Sequence, residues 1–326
     1  MNREQRVKGG LAAANNLKPF AVREKKVVFG ERAPRKVLAS IEDAVRACGL
    51  KDGMTFSFHH GFRGGDYTVN MVMDVLAKMG FKVGVLDADV YGPSIPMMFD
   101  VATERPRSVT IEDKSFIQPI ENYGVKILSI GFFTNANQAV IWRGPMAAKA
   151  LNQLIFEAYW GELDFLLIDL PPGTGDIHLS IMQALPITGA VVVSTPQPVA
   201  LADARRAVAM FGQENINVPV LGIVENMAYF TPEELPNNKY YIFGKEGAKH
   251  LAGELKVPFL GEIPLVQAVR EAGDTGQPIA LQEGSPQAKA FHSLAQEVVK
   301  NVVARNETLP PSEAIKITNM AGCSSK

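Results

Sequence analysis

The chain has 326 residues, 33 of them basic and 34 acidic, for a net charge of −1. That balance excludes a globally basic nucleic-acid binder and an acidic disordered chain. With 47% hydrophobic and 21% charged residues, the composition is that of a folded protein with ample chain to bury a core.

The first 36 residues carry ten basic side chains against three acidic ones, and no apolar period is sustained there. They read as an extended basic arm, lying solvated on the surface or binding a polyanion. No apolar stretch follows the opening MNREQRVKGG, so no secretory leader is predicted. From Ser40 the pattern turns helical: Ser40 and Asp43 make a capping-box start, Ile41, Ala44, Val45 and Cys48 share a face, and Gly49 ends it. Cys48 is thereby predicted to be a packed core thiol. A strand is expected at Met54–Phe58, then the Gly-rich loop His59–Asp66 (HHGFRGGD), then a helix over Tyr67–Met79 closed by Gly80.

Beyond Gly80, strand-sized apolar runs alternate with helical stretches. The strands are expected at Lys82–Asp87, Val125–Ile130, Asp164–Asp169, Gly189–Thr195, Val218–Val224 and Pro258–Gly261. Helices are expected near Ala147–Tyr159, Val199–Phe211, Lys245–Leu255 and Gln287–Val303. Continuous apolar strands separated by helices predict an α/β fold, a mostly parallel sheet with helices on both faces. None of these runs approaches the roughly 18–20 residues of a membrane helix. The tail Leu309–Lys326 looks loosely attached, and its final CSSK lacks the aliphatic pattern of a prenylation box. Two cysteines, Cys48 and Cys323, cannot build a disulfide framework. A soluble protein of the reducing cytoplasm is the expectation.

In open parallel sheets, ligands bind beyond the carboxyl ends of the strands. Here those ends carry acids and glycines. The run Val83–Leu86 leads into Asp87-Ala88-Asp89 and then YGPSIP, while Phe165–Ile168 leads into Asp169 and then LPPGTGD. An aspartate ending a buried strand is the Walker B arrangement, which holds Mg²⁺ near the β- and γ-phosphates of a nucleotide. One such aspartate often only caps the next helix. Two, each followed by a glycine-containing loop, predict a nucleotide site.

The strings LDADVYGPSIP, IWRGPM (Ile141–Met146), DFLLIDLPPGTGD, VVVSTPQPVALADARRA, VLGIVENM and PFLGEIPL occur here in one order. That order resembles the Mrp (ApbC) family of iron–sulfur cluster carriers, P-loop NTPases related to MinD and the nitrogenase iron protein, from about Lys82 to the C-terminus. The resemblance implies a homodimeric ATPase fold of the deviant Walker type. It implies Asp87 and Asp169 as Mg²⁺ ligands, Asp89 as the catalytic acid that orients water, Gly173 and Gly175 in a phosphate-sensing loop, and Asn226 reading adenine. ATP with Mg²⁺ is the implied cofactor and apo iron–sulfur proteins the implied partners; neither nucleic acid nor membrane is.

Two departures stand beside these matches. The family's P-loop reads GKGGVGKS where this chain has HHGFRGGD, so His60 replaces the signature Lys, Gly65 the phosphate-binding Lys and Asp66 the Mg²⁺-binding Ser. Gly61 and Gly64 remain to offer backbone N–H groups to phosphate, with Arg63 or His59 as partial compensation. Asp66 would oppose a phosphate at a cost of roughly 4 kcal/mol for ~4 Å and a dielectric near 20. Many family members also carry CxxC shortly after VENM, whereas Ala228–Gly247 holds no cysteine. Cys323 is then a bystander or supplies one thiolate per subunit, and a four-Cys cluster needs more.

Val37–Lys82, with KDGMTFSFHH and GDYTVNMVMDV, resembles the N-terminal region of the citrate lyase α subunit, a citrate CoA-transferase. Four segments follow: the arm 1–36, a βα segment 37–82 packed as the first unit of the sheet, a nucleotide-binding domain 83–308 and a tail 309–326. The downstream region bearing that transferase's catalytic glutamate is missing. Three functional readings stand: an Mrp-type carrier with impaired ATP binding, a CoA-transferase-related protein, and a non-catalytic interaction protein.

Overall fold

The computed structural model describes residues 54–60, 68–134, 144–232, 234–235, 237–282 and 284–315. The basic arm, Cys48, Gly61, Gly64, Arg63, Asp66, Ile141 and Cys323 lie outside the described residues. The chain enters at strand β1 (Met54–His60), which pairs in parallel with β7 (Phe165–Leu170) and β8 (Gly189–Ser194). Strand β2 (Val83–Asp87) lies on the far side of β7, followed by β6 (Val125–Ser129) and the antiparallel edge strand β5 (Ile120–Asn122). On the other flank β9 (Val220–Glu225) and β10 (Phe259–Glu262) extend the sheet beyond β8. The full order is β10-β9-β8-β1-β7-β2-β6-β5. Every pair is parallel except β5–β6, as the uniformly apolar runs predict.

Helix α1 (Thr68–Lys78) connects β1 to β2. It stops as the sequence requires: Gly80 takes φ +89°, its N–H donates to Ala77 C=O at 2.9 Å, and the Phe81 N–H donates to Leu76 C=O at 3.2 Å. This is the Schellman pattern, with the buried pair Leu76 and Phe81 as its apolar contact. Phe81 then packs edge-on against Phe165, ring centres 4.9 Å apart.

Alternate side chains of β2 and β8 face opposite layers. Val83 and Val85 of β2 and Val191 and Val193 of β8 join one core with α1, α7 (Gln267–Asp274) and α8 (Pro286–Thr308). Leu86 and Ala190 join the other, under α3 (Gly144–Phe156), α4 (Asp176–Ala184) and α5 (Pro198–Phe211). Helix α6 (Gly247–Leu255) packs on β9 beside α5 through a smaller cluster.

The sequence pattern misses α4, α7 and the short α2 (Ile95–Met98), which run to only 9, 8 and 4 residues. It also misses the hairpin β3 (Arg107–Ile111) and β4 (Lys114–Gln118), whose residues are mostly exposed. Tyr159, expected at the end of α3, instead donates its N–H to Ile117 C=O and helps hold that hairpin. One expectation is corrected. The first part of the tail is docked: Ile315 donates its N–H to Met182 C=O at 3.0 Å, and Arg305 Nη2 donates to Ser312 Oγ at 2.9 Å. Ile315 also covers the core beneath α4, so apolar contact outweighs the freedom expected of a chain end.

Candidate functional site

Strand register builds the site. Asp87 and Asp169 are direct Cα partners at the carboxyl ends of β2 and β7, as expected for neighbouring strand-end acids. His59 of β1 pairs with Leu170, so β1 ends at the level of these acids. This is the topological switch point where open α/β sheets bind ligands.

Asp87 is completely buried. Ser129 Oγ donates to its Oδ2 at 2.8 Å, the Asp89 N–H approaches Oδ1 at 3.3 Å, and the Ile95 N–H donates to the same carboxyl. Burial first, then the neighbouring Asp169 charge, pushes the Asp87 carboxyl well above the ordinary carboxylate range, against the pull of Ser129. Two buried acids side by side favour either a shared proton or a cation between them.

Asp89 is buried too, and its Oδ1 accepts the N–H groups of Tyr91 at 3.1 Å and Gly92 at 3.2 Å. That Asx turn fixes the loop leaving β2. Gly173 takes φ +96°, and added Cβ atoms at Gly173 or Gly175 would meet nothing within 4 Å, so this loop borders open space. Gly175 is not wholly turned to that space: its N–H donates to His178 Nδ1 at 3.2 Å. Asn226, just past β9, accepts the Met227 N–H on its Oδ1 at 2.9 Å and donates its own N–H to Ser194 C=O at 2.8 Å. It lies two strands from β1, beyond β8, on the opposite flank from Asp87.

Asp87, Asp89 and Asp169 thus gather at one end of the sheet, with Gly173 and Gly175 in the loop after β7. Among the described residues no group of three or more His, Cys, Asp or Glu side chains forms a metal cluster. Two carboxylates at a sheet end, flanked by open glycines, suit Mg²⁺, which keeps several waters and takes few protein ligands. Three residues escaped the sequence reading. Ser129 ends an apolar strand as Asp87 does, a signal that applied to acids alone passes over. His178 sits fully buried at the start of α4. Glu225 Oε2 accepts the Ala248 N–H at 2.6 Å, and its carboxyl draws on the Lys249 and Glu246 amides too. It thereby caps α6 from the residue next to Asn226.

A family model described as "ParA: NUBPL iron-transfer P-loop NTPase" matches residues 65–299. The "Iron-sulfur cluster carrier protein" of Aquifex aeolicus is 50% identical over 231 residues, 70% of this chain and 61% of that protein. The "Iron-sulfur cluster transfer protein NUBPL" of Dictyostelium discoideum is 44% identical over 276 residues, 84% of this chain and 81% of that protein. Among solved structures, a nucleotide-binding protein from Archaeoglobus fulgidus in complex with ADP is 34% identical with a TM-score of 0.60, covering 74% of this chain and 92% of that one. The Pyrococcus furiosus cell division ATPase MinD, 23% identical with a TM-score of 0.53, covers 76% of this chain and 99% of that one and shares the fold. The family match begins at residue 65, upstream of the Lys82 start that the motifs suggest.

Proposed function

The chain belongs to the NUBPL-type iron-transfer P-loop NTPases, the Mrp family, and from that premise we propose that it carries iron–sulfur clusters to apo-proteins, with a nucleotide site at the carboxyl ends of β2 and β7. The observation that supports the nucleotide half is the buried Asp87–Asp169 pair at the carboxyl ends of adjacent parallel strands, a position suited to a Mg²⁺-bound phosphate. Asp87 and Asp169 would hold the cation, directly or through water. Asp89 would face the attacking water. Gly173 and Gly175 would follow the terminal phosphate, and Asn226 would read the base. When bound, Mg²⁺ neutralises phosphate charge; the chain's part is to orient and to exclude water.

Nucleotide binding is proposed to be weak. HHGFRGGD supplies neither the Lys nor the Ser of a P-loop, and any binding by that loop falls to the amides around Gly61 and Gly64. On this proposal the loop belongs to a replaced first βα unit, as the resemblance of 37–82 to the citrate lyase α subunit suggests.

The cargo needs thiolates. Two cysteines per chain give a pair of copies at most four, from Cys48 and Cys323. A homodimer is supported by the exposed apolar side chains Tyr91, Met97, Phe133, Met146 and Val199. Tyr91 and Met97 follow β2, Phe133 follows β6 and Val199 follows β8, so several lie past the strand ends that carry the site. Anaerobic reconstitution with iron and sulfide, read by visible absorption and by transfer to an apo-ferredoxin, tests the cargo half. A bleached, iron-free product in the wild type, unchanged by Cys323→Ser, would remove it. Calorimetry with ADP, with and without Mg²⁺, tests the nucleotide half separately.

A further inference from the structure

The row of strand ends does not stop at the two acids. Asp87 is the Cα partner of Asp169 on one side and of Ser129 on the other, so β7, β2 and β6 present Asp169, Asp87 and Ser129 in line. Ser129 is completely buried. Its Oγ accepts the Gly131 N–H at 2.9 Å and donates to Asp87 Oδ2 at 2.8 Å. An amide N–H can only donate, so Oγ accepts from Gly131 and its own proton goes to Asp87 whenever that carboxyl is ionised.

The turn that supplies Gly131, Ile130–Phe133, is itself tightly seated. A Cβ at Gly131 would lie 3.1 Å from Ser129 Oγ and 3.2 and 3.3 Å from Pro93. Pro93 belongs to the loop that Asp89 organises. Ser129 therefore sits between the exit turn of β6 and the exit loop of β2, with Asp87 at their junction.

An aspartate carboxyl rotates about a broad, roughly two-fold torsion. Without a cation beside it, repulsion from Asp169 favours rotation away. A charge-assisted hydrogen bond from a fixed hydroxyl opposes that rotation. We propose that Ser129 is a positioning residue of the nucleotide site: it fixes the orientation of the Asp87 carboxylate, which with Asp169 would hold a cation. This rests on the nucleotide-site reading above and adds a third strand to it.

The test is ADP titration by calorimetry of the wild type, Ser129→Ala and Ser129→Thr, each with Mg²⁺ and with EDTA. Ser129→Ala is expected to cut the Mg²⁺-dependent gain in affinity about tenfold, the worth of one hydrogen bond to a charged group. Its affinity in EDTA should stay within about twofold, since only the cation contact is lost. Ser129→Thr, which keeps the hydroxyl, should retain the gain. Equal losses with and without Mg²⁺, or no loss at all, would overturn the assignment. Gly131→Ala, which crowds Ser129 from behind, should give an intermediate loss and covers the case in which Ser129→Ala does not fold. If the wild type binds no ADP, the nucleotide reading fails by itself. Amide hydrogen exchange then decides the positioning role. Faster exchange at Asp89 and Ile95 in Ser129→Ala supports it, and unchanged protection there sinks it.

Discussion

Asp87 and Asp169 stand opposite one another on adjacent parallel strands, both buried, and the charge of one raises the proton affinity of the other. Such a pair is strained whenever no cation or proton lies between its members. Asp169→Asn should therefore raise the stability of the ligand-free protein by about 1 kcal/mol, or roughly 2–4 °C in melting temperature. The same substitution should abolish any effect of Mg²⁺ on ADP affinity. Calorimetry and thermal unfolding on one preparation check both halves, and a destabilised variant that still responds to Mg²⁺ contradicts them.

The strand ends that form this pair were legible because burial on both faces forces near-continuous apolar runs, and an acid at the end of such a run stands out. Gly80 was legible as a helix stop for a similar reason, since its position demands φ +89°. Ser129 was not, because a lone serine after Val125–Leu128 has no signature until Asp87 lies 2.8 Å away across the sheet. Helix α7 was hidden because Gln267–Asp274 buries only Val269, Ala272 and Gly273. The tail was misread because Ile315 finds its partner, Met182, across a sequence separation that no local pattern reports.

Glu225 ties the end of β9 to the helix α6 that follows. Its carboxyl is pushed up by burial and drawn back by the N-terminal amides of α6, and the Ala248 N–H lies 2.6 Å from Oε2. Removing that acceptor leaves buried donors unmet. Glu225→Ala should cost about 1–3 kcal/mol, and Glu225→Gln, which keeps one acceptor oxygen, clearly less. Urea unfolding measures the difference. Equal losses for both variants would mean that the contact is packing alone.

Asp74 lies on α1 with neither carboxylate oxygen hydrogen-bonded, and burial raises its pKa well above the ordinary 3.8. The folded state therefore holds a proton that the unfolded chain releases, so stability falls as pH rises above about 4 toward the folded value. Asp74→Leu removes this burden. Its gain in unfolding free energy should be roughly 1–3 kcal/mol near neutrality and smaller at lower pH. Urea titrations of wild type and variant at about pH 5 and pH 8 test the sign. A gain that is equal at both values, or larger at the acidic one, shows that Asp74 is not the group responsible.

The remaining prediction concerns ATP. On the proposal that HHGFRGGD (His59–Asp66) stands in place of the P-loop, Gly65 and Asp66 supply neither the point charge on the β- and γ-phosphates nor the hydroxyl on Mg²⁺. Asp87 and Asp169 cannot offset that loss, because acids beside a triphosphate help only through the metal they hold. The proposed adenine contact of Asn226 remains, but base contacts alone rarely exceed millimolar affinity, about −4 kcal/mol. Mg·ATP should therefore bind about two orders of magnitude or more weaker than to a relative with an intact loop, a difference of at least ~2.7 kcal/mol, and hydrolysis should stay near background. Replacing residues 59–66 by GKGGVGKS should restore binding, since β1 ends at the level of the Asp87–Asp169 pair. Micromolar Mg·ATP affinity in the unaltered chain, lost in Asn226→Ala, would instead assign the work of the lysine to Arg63 and the loop amides.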